Sequence, residues 1–109
     1  MQVELHPDAQ AEVRAAALWY DEPQVGLGDR FLERIHEALM RISEMPAAYP
    51  AWPGTEAAVR LIRRALVEQF PYAVAFESGD DQLLVLAVTH TRRRPLYWLA
   101  RSTGDNERT

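Results

Sequence analysis

The sequence predicts an α+β domain of two layers, in which an N-terminal strand and a helical hairpin pack on an antiparallel β-sheet. Two observations lead to this class. Apolar residues in the first half of the chain recur with the helical period, and those in the second half alternate with the strand period. Loops rich in proline and glycine separate the segments. A length of 109 residues fits one such domain.

The first segments predict a strand followed by a helix. Residues 2–5 alternate between polar and apolar side chains, which indicates a short strand. Residues 6–22 then carry apolar side chains at spacings of three and four, and Pro7 suits a first helical position. Glu12 is an acid near the start of this predicted helix, where it favours the positive end of the helix dipole. The predicted apolar face consists of Ala9, Val13, Ala16 and Tyr20.

A second helix is predicted within residues 28–46. Asp29 is expected to cap its start, and Pro46 ends it. On its polar face, Glu37 and Arg41 have the spacing of an i,i+4 ion pair. The short glycine-containing connection between the two helices favours a helical hairpin. The apolar stripe that should face the core consists of Phe31, Ile35, Leu39 and Ile42.

The second half of the chain predicts the sheet. Residues 70–78 alternate, and residues 82–90 are apolar on both faces, as in a strand that is buried on both sides. Residues 55–69 fit a helix and a strand equally well, and periodicity alone does not decide between them. The polar residues 100–109 are predicted to form a tail outside a domain of residues 1–99.

Composition excludes several classes of protein. The chain has no cysteine, and its three histidines lack metal-ligand spacing, so we expect neither a metal site nor a cofactor. It has no apolar run long enough to cross a membrane and no basic N-terminal region of a signal peptide, so we expect a cytoplasmic protein. A net charge of −4 argues against a surface built for non-specific nucleic-acid binding.

Arginine supplies all twelve cationic side chains apart from the histidines, and half of them form two clusters. Adjacent guanidinium groups repel one another, so they indicate either a solvated turn or a surface that meets carboxylates or phosphates. His90 ends the last predicted strand beside one cluster and is either a polar strand end or a proton-transfer group. Tyr97 and Trp98 are expected to pack the C-terminal segment on the sheet, although Tyr97 could also stack on a base. The clusters are Arg60, Arg63 and Arg64, and Arg92, Arg93 and Arg94.

Three stretches in this order resemble the RelE/ParE superfamily of type II toxin–antitoxin toxins, and most closely its ParE-like, plasmid-stabilisation branch. They are "GLGDRFLERI", "IRRALVEQFPYAV" and "VLAVTHTRRRPLYW". The resemblance extends over residues 1–99. It implies that residues 62–69 form a strand and that the Phe-Pro-Tyr triplet at residues 70–72 introduces the next one. It also implies that the region around Arg92–Arg94 binds the target or the antitoxin.

The resemblance implies a toxin that a cognate antitoxin neutralises and that binds and poisons DNA gyrase. The alternatives are a ribosome-dependent mRNA endonuclease, as in the RelE-like branch, and a degenerate, non-toxic interaction module. Ala73 and Leu66 stand where the ribonuclease branch commonly has cationic residues, so we expect a protein that is not an enzyme. A homodimer, or a heterotetramer with the antitoxin, is the expected assembly. If the protein is a ribonuclease, its catalytic candidates are Arg64, His90, Arg92 and Tyr97.

Two further residues bear on the target-binding surface. Glu68 and Gln69 replace a pair that is often arginine in the ParE-like branch, which weakens a target-binding face at that place. The expected target- or antitoxin-binding residues are Arg60, Arg63, Arg64, Arg92, Arg93, Arg94, Tyr97 and Trp98.

Overall fold

The computed structural model describes residues 2–79 and 81–102, which form one four-stranded mixed sheet with two helices packed on it. The predicted α+β architecture is confirmed. Short 3-10 helices occupy Pro46–Ala48 and Leu99–Arg101. The principal elements are β1 (Gln2–Leu5), α1 (Pro7–Asp21), α2 (Leu27–Glu44), β2 (Ile62–Leu66), β3 (Tyr72–Ser78) and β4 (Gln82–His90).

The sheet has the strand order β1-β4-β3-β2. The last three strands form the predicted antiparallel meander, whereas β1 pairs with β4 in parallel. A parallel neighbour needs a crossover connection, and the helical hairpin lies between β1 and the meander along the chain. Pairing of β1 ends where Leu5 meets Val85, although β4 continues to His90. The outer edge of β4 is therefore left without a strand over its last residues.

The first core lies between the helices and the sheet. The predicted stripe of α2 is confirmed, since Phe31, Ile35 and Ile42 are buried and Leu39 is half-buried against the same core. Aromatic rings close one end of this layer, and the ring centroids of Phe31 and Tyr72 lie 5.0 Å apart. Such edge-to-face contacts add to the free energy gained by burial.

A second core covers the opposite face of the sheet. Trp98 of the C-terminal segment is buried there, and its ring centroid lies 5.0 Å from that of Trp52 in the loop before β2. A register shift between β3 and β4 places the consecutive residues Leu86 and Ala87 together in this core. The predicted burial of β4 on both faces and the packing of Trp98 on the sheet are thus confirmed.

Helix α2 begins differently from the prediction. Gly26 precedes it with a left-handed φ of 94°, and the Asp21 carboxylate accepts hydrogen bonds from the backbone N–H groups of Gly26 and Gly28. Asp29 lies in the first turn and is not the cap. A Cβ on Gly28 would lie 2.3 Å from the carbonyl oxygen of Ala17, so this glycine permits the close approach of the two helices.

The ion pairs of α2 also differ from the prediction. Glu37 accepts from Arg34 at 2.9 Å instead of pairing with Arg41. A second hydrogen bond fixes the Arg34 side chain beside Glu37, because Arg34 Nε donates to Gln69 Oε1 at 2.9 Å. Arg41 instead lies 4.0 Å from Glu68. These contacts connect α2 with the turn after β2, which residue periodicity cannot anticipate.

Strand β2 is shorter than the predicted residues 62–69. Gln69 has a left-handed φ of 69°, and Val67 N–H donates to the carbonyl of Tyr72 at 3.0 Å, so the chain already reverses there. At the other end of the chain, Ser102 is buried and donates to Glu77 at 2.9 Å. Residues 103–109 of the predicted tail lie outside the described residues. Neither described helix is long and apolar enough to cross a membrane.

The stripe of α2 generates a test of the fold. Ile35→Asp or Leu39→Asp places a carboxylate against an apolar core, and we expect a loss of about 3 to 5 kcal/mol in the free energy of unfolding. Met40→Asp is the matched control, because Met40 is exposed on the same helix. Thermal and urea unfolding measure the three variants. Parent-like unfolding of both core variants would show that the assigned helical phase is wrong.

Candidate partner-binding site at the end of the sheet

The exposed turn that follows β4 carries Arg92–Arg94. Its backbone closes on His90, whose Nδ1 accepts from the Arg92 N–H at 3.1 Å and whose carbonyl accepts from the Arg93 N–H at 3.0 Å. Thr91 N–H donates to the carbonyl of Pro71 at 2.8 Å, which ties the turn to the start of β3. The three arginines therefore extend from a backbone of defined geometry.

The hydrogen bonding of His90 bears on its chemistry. Because Nδ1 accepts a backbone N–H, its lone pair is occupied and the proton of the neutral ring lies on Nε2. The ring also packs edge-on against Tyr72, with centroids 5.3 Å apart. This arrangement favours the structural interpretation of His90 over the role of a general base.

Glu12 of α1 also belongs to this region. Its sequence position was not recognised as part of the candidate site. Its side chain is only 13% exposed and accepts hydrogen bonds from Val88 N–H, from the Tyr97 hydroxyl and from Arg101 Nη1. A signal was present in the sequence, since Glu12 stands three residues after Ala9 and four before Ala16, within the apolar face of α1. An acid in that position needs a buried partner.

The contacts of Glu12 satisfy the open edge of β4. Beyond the pairing with β1, the backbone of Leu86 and Val88 faces this edge. Arg101 donates to the Leu86 carbonyl at 3.0 Å, and Glu12 accepts from Val88 N–H at 3.1 Å. A salt-bridged pair of side chains thus replaces a strand at two backbone groups that would otherwise be unsatisfied.

The same carboxylate positions Tyr97 and Arg93. Burial, and then the hydrogen bond to Glu12, raise the pKa of Tyr97 above its ordinary value, so the phenol keeps its proton and acts as a donor. Arg93 lies over the Tyr97 ring at 4.1 Å and 3.9 Å from a Glu12 oxygen. Arg93 therefore lies on the α1 side of the turn, where a carboxylate compensates part of its charge.

On the opposite face of the sheet, Arg64 and Arg94 line a cavity of about 280 Å³. Arg64 lies 5.9 Å from the ring centroid of Trp52, another residue of the cavity wall. The buried Trp98 forms part of the wall from the core side. The cavity brings Arg64 of the first cluster together with Arg93 and Arg94 of the second.

The other arginines of the first cluster lie elsewhere. Arg63 points to the other face of β2, as its position next to Arg64 predicts, and donates to the Tyr49 carbonyl. Arg60 is half-buried before β2 and does not line the cavity. Within residues 2–79 and 81–102, no carboxylate oxygen lies within 4 Å of a guanidinium nitrogen of Arg64, Arg92 or Arg94. The described residues also contain no group of three or more side chains suited to hold a metal ion.

The site thus lies on a helical hairpin packed on a mixed four-stranded sheet, with a cationic turn at the end of the last strand. A solved structure described as "Chromosomal ParDE TA system from P. aeruginosa" matches with a TM-score of 0.66 over 83% of this chain and 95% of that chain. Their sequence identity is 15%, so this likeness concerns the fold. No curated protein sequence matches the chain.

The family follows from the sequence itself. The family model described as "ParE toxin of type II toxin-antitoxin system, parDE" matches residues 3–95. The chain therefore belongs to the ParE toxin family of type II toxin–antitoxin systems.

The contacts of Glu12 generate a second prediction. Glu12→Ala leaves Val88 N–H unpaired and removes the carboxylate from Arg101, so we expect a loss of about 2 to 4 kcal/mol in the free energy of unfolding. Asp29→Ala is the control, because Asp29 is an exposed acid on the other helix. Urea unfolding measures both variants. Equal stability of Glu12→Ala and the parent would contradict the conclusion that Glu12 holds α1 to β4 and to the C-terminal segment.

Proposed function

We propose that this ParE-family chain is a toxin that binds and poisons DNA gyrase, and that a cognate antitoxin neutralises it by covering the cationic end of the sheet. The observation that carries the proposal is the set of exposed guanidinium groups of Arg92 and Arg94, which lack a carboxylate among the described residues. A cationic surface of this kind favours recognition of an acidic protein partner.

Binding explains this surface better than catalysis does. A ribonuclease needs a base for the 2′-hydroxyl and several cations around the phosphate. Here the Nδ1 lone pair of His90 is already occupied, the Tyr97 hydroxyl donates a hydrogen bond to Glu12, and Glu12 compensates part of the charge of Arg93. Two positions that the ribonuclease branch commonly fills with cations carry Ala73 and Leu66.

The antitoxin proposal rests on charge and on apolar surface together. A cavity of about 620 Å³ lies beside α1, where Ala11, Ala15 and Trp19 line it together with Arg93. Trp19 is 64% exposed. An antitoxin segment that is disordered alone and folds on contact would bring acids to the arginines and apolar side chains to this groove. The resulting complex would be a heterotetramer if either chain dimerises.

The third prediction concerns the antitoxin. Replacement of Arg92, Arg93 and Arg94 by Ala should weaken the complex with the cognate antitoxin, and should flatten the salt dependence of its affinity. Arg30→Ala, which changes an exposed arginine of α2, is the control. Calorimetry at several salt concentrations measures both effects. Unchanged affinity and unchanged salt dependence would refute the role of the turn.

The fourth prediction separates the target classes. Expression without antitoxin should leave mRNA intact, block supercoiling by gyrase and induce the DNA-damage response. Primer extension on cellular mRNA and a supercoiling assay with purified protein measure the two outcomes. Codon-phased cleavage that disappears in Arg92→Ala, together with normal supercoiling, would make the chain an endoribonuclease. Normal growth with neither effect would make it a non-toxic interaction module.

A further inference from the structure

We infer that Arg64 and Arg94, with the cavity between Trp52 and the end of β4, form a docking site for an extended peptide that carries an acidic side chain beside an apolar one. The inference deepens the proposed binding of a protein partner, because it names the chemistry of the segment and the arginines that receive it.

The cavity combines charge with an apolar interior. Arg64 comes from β2 and Arg94 from the turn after β4, and both line the same space of about 280 Å³. Ala73 lies between them on β3, where its small side chain leaves room, and Leu66 and Pro95 add apolar walls. The space suits one large apolar side chain, with a carboxylate held at the cationic rim.

The outer edge of β2 is open at its last residue, beside this cavity. The loop before β2 covers the start of the edge, because Trp52 N–H donates to the Ile62 carbonyl at 2.8 Å and Arg64 N–H donates to the Pro50 carbonyl at 2.9 Å. Backbone groups two residues apart on a strand face the same side, so those of Leu66 face this edge as well. No described residue covers the edge at Leu66, whose side chain is 62% exposed.

The edge favours a peptide over a nucleic acid. An extended peptide can add to a free strand edge with its own backbone hydrogen bonds while alternate side chains enter a neighbouring pocket. A nucleic acid cannot use the edge in this way. The net charge of −4 also opposes a polyanion more than it opposes a peptide with a few acids.

Arg93 also lines this cavity, but its guanidinium group already has partners among the described residues. It lies over the Tyr97 ring and 3.9 Å from Glu12, on the side of α1. Arg94 has no such carboxylate among the described residues. The pair therefore provides a comparison of two adjacent, exposed arginines that both line the cavity, of which Arg94 is the one assigned to the carboxylate of the peptide.

Tryptophan emission provides a local readout. The chain has three tryptophans, and both of those other than Trp19 line the cavity. In a Trp19→Phe background, titration with a short synthetic peptide of alternating Glu and Leu residues should change the emission in a saturable manner. Arg64→Gln and Arg94→Gln should each weaken this binding about tenfold. Arg93→Gln should weaken binding less than Arg94→Gln does, because Glu12 already compensates part of the Arg93 charge. Arg30→Gln, at an exposed arginine outside the cavity wall, should bind within about twofold of the background protein.

Titrations with a cationic peptide and with a nucleic acid test the chemistry of the ligand. A peptide of alternating Lys and Leu residues should not bind, because its charge is opposite to that required. Equal binding by Arg94→Gln and the background protein, or peptide binding in calorimetry without a change in emission, would overturn the inference. Saturable binding of single-stranded oligo-dT with the same dependence on Arg94 would also overturn it, in favour of a nucleic-acid site.

Circular dichroism of Arg64→Gln checks whether this variant folds. Arg94→Gln tests the inference even if Arg64→Gln unfolds. The assay contains neither gyrase nor antitoxin, so its failure is distinguishable from failure of the proposed function.

Discussion

The Glu12 carboxylate joins three parts of the molecule that the chain keeps far apart. It binds the backbone of β4, the hydroxyl of Tyr97 and the guanidinium of Arg101 from a position on α1. The need for it comes from the short parallel strand β1, which leaves the last part of β4 without a neighbour. A buried carboxylate is stable only with such partners, and here each partner is also fixed by it.

This contact determines the geometry of the cationic turn. The segment after β4 is held at Tyr97 and Arg101 by Glu12, and Trp98 between them is buried in the second core. Arg93 is thereby drawn toward Glu12 of α1, although it lines the cavity on the other face of the sheet together with Arg94. The Glu12 carboxylate beside Arg93 offsets part of the repulsion among the three adjacent guanidinium groups.

Membership of the ParE toxin family and the chemistry of this turn agree with each other. The end of the sheet offers cations, aromatic walls and an open strand edge, which are features for holding a protein partner. The groups that could move a proton are already engaged, His90 with a backbone N–H and Tyr97 with Glu12. A fold of this class can therefore serve as a binding scaffold, with its activity decided by a few residues at one end of the sheet.

The sequence by itself determined the order of the elements, the buried stripe of α2 and the double burial of β4, because periodicity records which face of an element is apolar. For residues 55–69 periodicity left helix and strand open, and the strand that the family resemblance implied there puts Arg63 and Arg64 on opposite faces. Only the tertiary structure decided the partners of charged side chains. Glu12 meets Val88 and Tyr97 across 76 and 85 residues of chain, and Glu37 accepts from Arg34 rather than from Arg41. Such choices depend on strand register and on the approach of the layers, which no local pattern encodes.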